Sequence, residues 1–256
     1  MDQRGVRQLF DLTDRVAIVT GGTRGIGLAI ARGYAAAGAK VVVASRKADA
    51  CAAAEKLLID AGAEALGVPT HLGDLHALHD LVSATTGRFG RVDIIVNNAA
   101  NALAQPVGEF TAEAWAKSFD VNLRGPIFLI QEALPYLRKS PAGSVINVIS
   151  AGAFLFSGNV AMYAAAKAGL MSFTRSFASS LAADGIRVNA LAPGAVDTDM
   201  TRATGPDSLA GMEAASLQRR IAHADEMVGP ALFLASDASS FITGQVIKAD
   251  GGLVPG

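Results

Sequence analysis

A tyrosine and a lysine lie four residues apart in Met162-Tyr-Ala-Ala-Ala-Lys-Ala-Gly169, and Ser150 stands thirteen positions before the tyrosine at the end of an apolar run. On a helix, positions i and i+4 share a face, so the Lys167 ammonium lies one turn along from the Tyr163 phenol. A phenol titrates near pH 10, and lowering it by about three units takes roughly 4 kcal/mol. A cation ~4 Å away in an effective dielectric of ~20 supplies about that much. Ser150 adds a neutral donor for an oxygen on which charge develops. The chemistry implied is proton exchange at a substrate oxygen. Tyr-x-x-x-Lys also arises on helices that catalyse nothing, so the rest of the chain must decide.

Near the N-terminus, Arg15-Val-Ala-Ile-Val-Thr20 reads as a strand buried on both faces, a short β-branched run without polar alternation. It runs into Gly21-Gly22-Thr23-Arg24-Gly25-Ile26-Gly27 and then an Ala-rich helical pattern from Leu28 to Ala37. Strand, glycine turn and helix start are the context of a phosphate-binding loop. Glycines let the backbone approach a pyrophosphate, and the helix N-terminus directs free N–H groups and a positive dipole end at the anion.

The end of the second strand bears on which dinucleotide fits. Folds of this kind that bind NAD place an Asp or Glu there for the ribose 2′-hydroxyl, whereas a 2′-phosphate needs cations. The chain has Ser45-Arg46-Lys47 and no acid, and Arg24 could approach the same phosphate. An arginine binds phosphate bidentately, so NADP(H) is favoured over NAD(H). The alternative is that Arg46 and Lys47 are solvated surface charges.

The glycine spacing is Gly-x-x-x-Gly-x-Gly at Gly21, Gly25 and Gly27. With Asn97-Asn98-Ala99-Ala100 after a strand, Asn122, Ser150, Tyr163-x-x-x-Lys167 and Pro193-Gly194, it resembles the short-chain dehydrogenase/reductase family from about Leu12 to Gly252. The resemblance implies a single-domain α/β Rossmann fold over 1–256, a doubly wound, seven-stranded parallel sheet with helices on both faces. It implies an oxidoreductase interconverting a ketone or aldehyde with an alcohol. The catalytic residues it implies are Asn122, Ser150, Tyr163 and Lys167, with Asn122 holding the backbone open around a water that links Lys167 to solvent. The implied cofactor cleft takes Gly21, Thr23, Arg24, Gly25, Ile26 and Gly27 from the glycine loop and Ser45, Arg46 and Lys47 from the second strand. His71 and Leu72 follow the third strand, and Asn98, Ala99 and Ala100 the fourth. Pro193, Gly194, Val196 and Thr198 close it, Thr198 toward the nicotinamide carboxamide, and Tyr163 and Lys167 complete it.

The chain departs from the family pattern in places. His71 stands where an acid usually bonds the adenine amino group; an imidazole can bond or stack there, or be a surface histidine. Ala100 replaces the last glycine of Asn-Asn-Ala-Gly, and Ala222-His223-Ala224 stands where Gly-x-Pro is common. Enoyl reductases of related fold space Tyr and Lys by seven positions, which argues against double-bond reduction, and a silent nucleotide-binding relative would be expected to lack one of the four catalytic residues.

The walls nearest the reactive carbon are expected from Asn101, Ala102, Ala151, Phe154, Phe156 and Asn159, with a lid over about 199–220. They are mainly apolar, which favours a hydrophobic or aromatic carbonyl compound; Phe154 and Phe156 could equally serve an interface or the core.

At 256 residues with net charge −1, the chain can bury a large core and carries no basic field for nucleic acid or an acidic membrane. Its 51% hydrophobic content is spread between polar breaks, with no apolar run near the ~20 residues of a membrane span. The opening residues lack the apolar core of a signal peptide, so a cytoplasmic location is expected. Cys51, the one cysteine, cannot form an internal disulfide, and the four histidines show no metal spacing, so no metal is expected. Asp93 and Asp120 read as structural.

Strands are expected over Arg15–Thr20, Lys40–Ser45, Ala65–His71, Val92–Asn97, Ser144–Ser150, Arg187–Ala192 and Gln245–Ala249. Helices alternate with them over Asp49–Ala61, Ala77–Phe89, Glu113–Leu137, Tyr163–Ala183 and Asp225–Ala235. Such alternation implies right-handed crossovers and parallel strands, with ligands beyond the strands' carboxyl ends. The helices over 113–137 and 163–183 carry more apolar residues than one sheet contact needs, among them Ile127, Leu129, Ile130, Leu170, Met171, Phe173 and Phe177. A homotetramer or homodimer is expected, with a small carbonyl or alcohol as the other partner.

Overall fold

The computed structural model describes residues 2–156 and 158–254. Seven strands form one parallel sheet in the order β3-β2-β1-β4-β5-β6-β7. They are β1 (Val16–Thr20), β2 (Lys40–Ser45), β3 (Ala65–Pro69), β4 (Ile94–Asn97), β5 (Ser144–Val148), β6 (Arg187–Pro193) and β7 (Val246–Ala249). All five residues of β1 are buried, which is why its sequence lacks polar alternation. Successive side chains leave a strand on opposite faces. Ala17 and Val19 accordingly join one core cluster and Ile18 the other.

Helices cover both faces. One side carries α2 (Gly25–Ala36), α3 (Ala48–Asp60) and α10 (Val228–Ala235), which bring Ile30, Tyr34, Leu58 and Leu234 against the sheet. The other carries α4 (Leu75–Phe89), α6 (Gly125–Leu137) and α7 (Ala161–Leu181), which bring Leu81, Leu129, Leu137 and Leu181. Each such aliphatic side chain, fully buried, contributes roughly 1.5–3 kcal/mol. Asp74 caps α4 by accepting from His76 N at 2.9 Å, and Gly90 ends it in the left-handed conformation.

Strand order reverses between β1 and β4, so their carboxyl ends diverge into a crevice that opens at Gly21 and Asn98. Several elements differ from the sequence expectation. A helix α1 (Gln3–Gln8), capped by Asp2, precedes the sheet. The helix expected over 113–137 is three pieces: α5 (Ala112–Phe119), a π-helical segment Asp120–Arg124, and α6. The segment 199–220, expected to be irregular or helical, agrees with that expectation and contains α8 (Asp199–Arg202) and α9 (Pro206–Ala215).

Of the apolar residues expected at an interface, Leu129, Ile130 and Leu170 are buried in this chain's own core, which corrects that part of the reading. Phe173 stays exposed, edge-on to Phe177, as do Phe128 and Trp115, the latter stacked on Phe119 with ring centroids 4.0 Å apart. Among the described residues no helix is long and apolar enough to cross a membrane.

Candidate active site

Ser150 follows β5 as the chain turns into a short helical turn at Ala151–Ala153, and its Oγ accepts from Gly152 N at 3.0 Å. Tyr163 lies in the first turn of α7 and Lys167 one turn further, so the helix brings both to the carboxyl end of β5. Lys167 is 1% exposed. Its Nζ donates to Val148 O at 2.7 Å and sits 5.7 Å from the Tyr163 ring centroid.

The electrostatics correct the simple expectation of a cation lowering a phenol. Burial pushes the Tyr163 phenol above its ordinary value, and a hydrogen bond with Ser150 pulls it part of the way back. Burial also pushes Lys167 down to about 7. Both groups lose water, and desolvation penalises whichever form is charged, phenolate or ammonium.

Asn122 is fully buried in the π-helical segment. Its Nδ2 donates to Asn101 O at 2.8 Å and to Ser118 O at 2.9 Å, while its Oδ1 accepts from Asn101 N at 3.2 Å. Ser118 O is the carbonyl that a regular α-helix would give to the Asn122 backbone N–H. A side-chain amide thus takes over a backbone bond and stabilises the wider turn.

The glycine loop needs its glycines. Gly21 has φ +63° and an ideal Cβ there would lie 2.8 Å from Asn98 Nδ2 and 2.9 Å from Ala99 Cα. A Cβ on Gly27 would overlap Gly21 O and Asn98 Nδ2. Asn98 and Ala99 are held against the loop by Thr20, whose Oγ1 accepts from both backbone N–H groups at 3.0 and 3.1 Å. Thr20 is buried at the end of β1, where the sequence breaks from apolar to polar, and these bonds make it a positioning residue. Arg24 stands at the N-cap of α2 without a side-chain capping bond, so the first turn directs backbone N–H groups outward beside Gly25 and Gly27. That fits a diphosphate.

At the end of β2, Ser45 is half-buried, and Arg46 and Lys47 are exposed. Neither cation has an ion pair or side-chain hydrogen bond among the described residues. Arg24 is engaged elsewhere, paired with Asp199 at 2.8 Å. His71 is exposed and its Nδ1 accepts from Gly73 N at 3.1 Å, while Leu72 is buried. At the far side, Pro193 ends β6, Gly194 packs on Asp250, and Val196 is buried beside Ala222. Thr198 caps α8, and its methyl would be 3.2 Å from a Cβ on Gly25.

The expected substrate walls differ in burial and in hydrogen-bond partners. Asn101 donates from Nδ2 to Lys117 O at 2.8 Å and accepts from Asn122, so it braces the π-helical segment. Phe156 is 100% exposed and walls nothing in this structure. Phe154 is half-buried against Ile149 and Leu170, with Lys248 Nζ 5.3 Å from its ring centroid. Ala151 is buried, Ala102 is exposed, and the exposed Asn159 accepts from Gln105 N at 2.9 Å through its backbone carbonyl. Sequence reasoning missed Gln105, whose buried Oε1 has no hydrogen-bond partner among the described residues.

Comparison with known proteins adds to this geometry. A family model described as enoyl-(acyl carrier protein) reductase matches residues 21–254. The chain is 35% identical to a probable galactose dehydrogenase of Rhizobium meliloti, over 96% of this chain and 97% of that one. It is also 35% identical to the dehydrogenase/reductase SDR family member 4 of Oryctolagus cuniculus, over 98% of both chains. A crystal structure of a putative NAD(P)-dependent gluconate 5-dehydrogenase from Beutenbergia cavernae, with bound NADP at low occupancy, superposes with a TM-score of 0.91 at 37% identity, covering 96% of this chain and 98% of that one.

Proposed function

The chain belongs to the short-chain dehydrogenase/reductase family, an NAD(P)-dependent oxidoreductase acting on alcohol and carbonyl groups, and we propose that it is NADP(H)-preferring and uses Tyr163 as the proton donor to a carbonyl oxygen. A nicotinamide cofactor, when bound, supplies or accepts the hydride. Tyr163 gives its phenolic proton to the substrate oxygen in reduction and takes it back in oxidation. Ser150 holds that oxygen through its hydroxyl. Lys167, anchored on Val148 O, sets the electrostatics beneath the phenol. Asn122 keeps the helix wide enough for a water to carry the proton onward. The glycine loop with α2 would hold the diphosphate, and Ser45, Arg46, Lys47 and Arg24 the 2′-phosphate.

The observation that carries the reaction is the convergence of Ser150, Tyr163 and the buried Lys167 at one strand end. Carbonyl chemistry is favoured over enoyl reduction by the four-residue spacing of Tyr163 and Lys167. Two cations at the end of β2, Arg46 and Lys47, without a side-chain partner among the described residues, support NADP(H). The apolar Ala151 and Phe154 favour a hydrophobic carbonyl compound, under a lid formed by 199–220. A hydroxylated substrate is the second reading, favoured by the buried Gln105 Oε1, which has no hydrogen-bond partner among the described residues. A nicotinamide-absorbance screen over aromatic ketones, alicyclic ketones and sugar acids separates them. In the same assay Tyr163→Phe should abolish turnover with cofactor affinity nearly unchanged. Retention of more than about a tenth of kcat, only ~1.4 kcal/mol in barrier, would remove Tyr163 from the role.

Assembly is proposed through the exposed aromatic residues Trp115, Phe128 and Phe173. Light scattering should give a dimer or tetramer, and a concentration-independent monomer would refute it.

A further inference from the structure

Arg24 already has an anionic partner. Its Nη1 lies 2.8 Å from Oδ2 of Asp199, the first residue of α8. Asp199 Oδ1 is also 3.6 Å from Arg202 Nη1, and Arg202 Nε donates to Asp197 Oδ1 at 2.7 Å. The four side chains form an alternating row, Arg24, Asp199, Arg202 and Asp197, running from the glycine loop onto the segment after Thr198. The two backbones also meet here, since a Cβ on Gly25 would be 3.2 Å from the Thr198 methyl.

A guanidinium offers its donors along fixed edges, and a carboxylate and a phosphate ask for the same fork. The pair is exposed, 72% for Arg24 and 61% for Asp199, so it exchanges readily. Asp199 would keep Arg202 after losing Arg24, so no charge is stranded. A carboxylate left beside a dianionic phosphate would in addition repel it.

We propose that Asp199 is a cofactor-specificity residue, which competes with the 2′-phosphate of NADP(H) for Arg24 and so moderates the preference for NADP(H) over NAD(H). The inference rests on the proposed reading of Arg24 as a 2′-phosphate contact. NAD(H) has no group to displace Asp199, so its affinity is indifferent to the exchange. Asp199 therefore acts against the preference that Arg46 and Lys47 establish, and removing its charge raises that preference. Exposed ion pairs are weak, which makes the effect a matter of a few-fold and not of orders of magnitude.

Isothermal titration of NADP+ and NAD+ into the wild type, Asp199→Asn, Arg24→Gln and the double variant, at low ionic strength, tests this. Asp199→Asn should tighten NADP+ by about two- to fivefold and leave NAD+ unchanged, and the gain should vanish in the double variant. Asp199 also begins a helix, but any effect on α8 alone moves both cofactors together, so the ratio of the two dissociation constants carries the result. If Arg24→Gln weakens NADP+ selectively while Asp199→Asn leaves the ratio unchanged or lowers it, the competition is refuted and the phosphate contact stands. If Arg24→Gln leaves the ratio unchanged, Arg24 does not hold the phosphate and both readings fall.

Discussion

Replacing Lys167 by Met keeps a long, unbranched side chain in the same space and removes one buried amine. Burial lowers Lys167 to about 7 in the folded chain, whereas an unfolded lysine titrates near 10.4. Between those values the unfolded state binds the extra proton and the folded state does not, so stability must rise with pH. Below about pH 7 both states hold the proton and the full penalty of burying an ammonium applies. Above about pH 10 neither state holds it, and the penalty is gone. Integrated from pH 7 to pH 9, this one group adds about 2 kcal/mol to the unfolding free energy, close to the limit of ~1.4 kcal/mol per pH unit. Urea unfolding of both proteins at pH 7, 8 and 9, at one protein concentration, reads it directly. The wild type should gain about 2 kcal/mol more than Lys167→Met across that range, because every other titrating group is common to both. Parallel pH profiles would show that the folded state does not depress Lys167, and would refute both the depth of its burial and the account of the Tyr163 environment built on it.

Arg46→Ala should lower kcat/KM for NADPH by roughly tenfold and leave NADH almost untouched, while Ser45→Asp should shift preference toward NADH by like-charge repulsion; a wild-type ratio below one would show that Arg46 and Lys47 only face solvent. Gly27→Ala should cost more than ~2 kcal/mol, because its methyl would overlap the Gly21 backbone oxygen and the Asn98 side-chain amide, which is itself held by bonds to Thr20 O and Gly21 O. A thermal unfolding midpoint equal to the wild type would show that the loop is looser than drawn.

What could be read from the residues was whatever depends on local pattern. The β-branched runs at 16–20, 40–45 and 144–148 are strands because both faces of a parallel sheet are dry, and that dryness is visible in composition. The glycine spacing likewise encodes contacts that each glycine makes through its own missing Cβ. The break at Asp120–Arg124 was not legible, since α5 and α6 read as one apolar helix. The widened turn depends on Asn101, twenty-one residues away, exchanging bonds with Asn122. For the same reason the bonds of Asn101 to Lys117 and Asn122 were not legible: residue type shows that an amide can bond, not which partner has claimed it. The full exposure of Phe156 removes only the core reading, because a large apolar side chain in a loop suggests burial that only the completed fold can grant or withhold. The Tyr163–Lys167 pair was found by spacing, but the sign of its perturbation came from solvent exclusion by residues remote in the chain.

The clasp between Thr20 and the Asn98–Ala99 backbone also governs when the cofactor crevice can exist during folding. Its bonds join residues 78 and 79 positions apart, whereas β1, α2 and β2 can assemble from one contiguous stretch of about thirty residues. Closing the longer loop carries the greater entropy cost, so the back wall of the crevice belongs to the non-local, slower part of assembly. A chain with only its first β-α-β unit formed presents the glycine turn without the surface that shapes it. Under the proposed binding mode, dinucleotide selects chains in which β4 has docked on β1, and at a hundred times its dissociation constant it would shift their unfolding equilibrium by about 2.7 kcal/mol. On that reading, cofactor concentration would act on the stability of the folded protein as well as on its turnover.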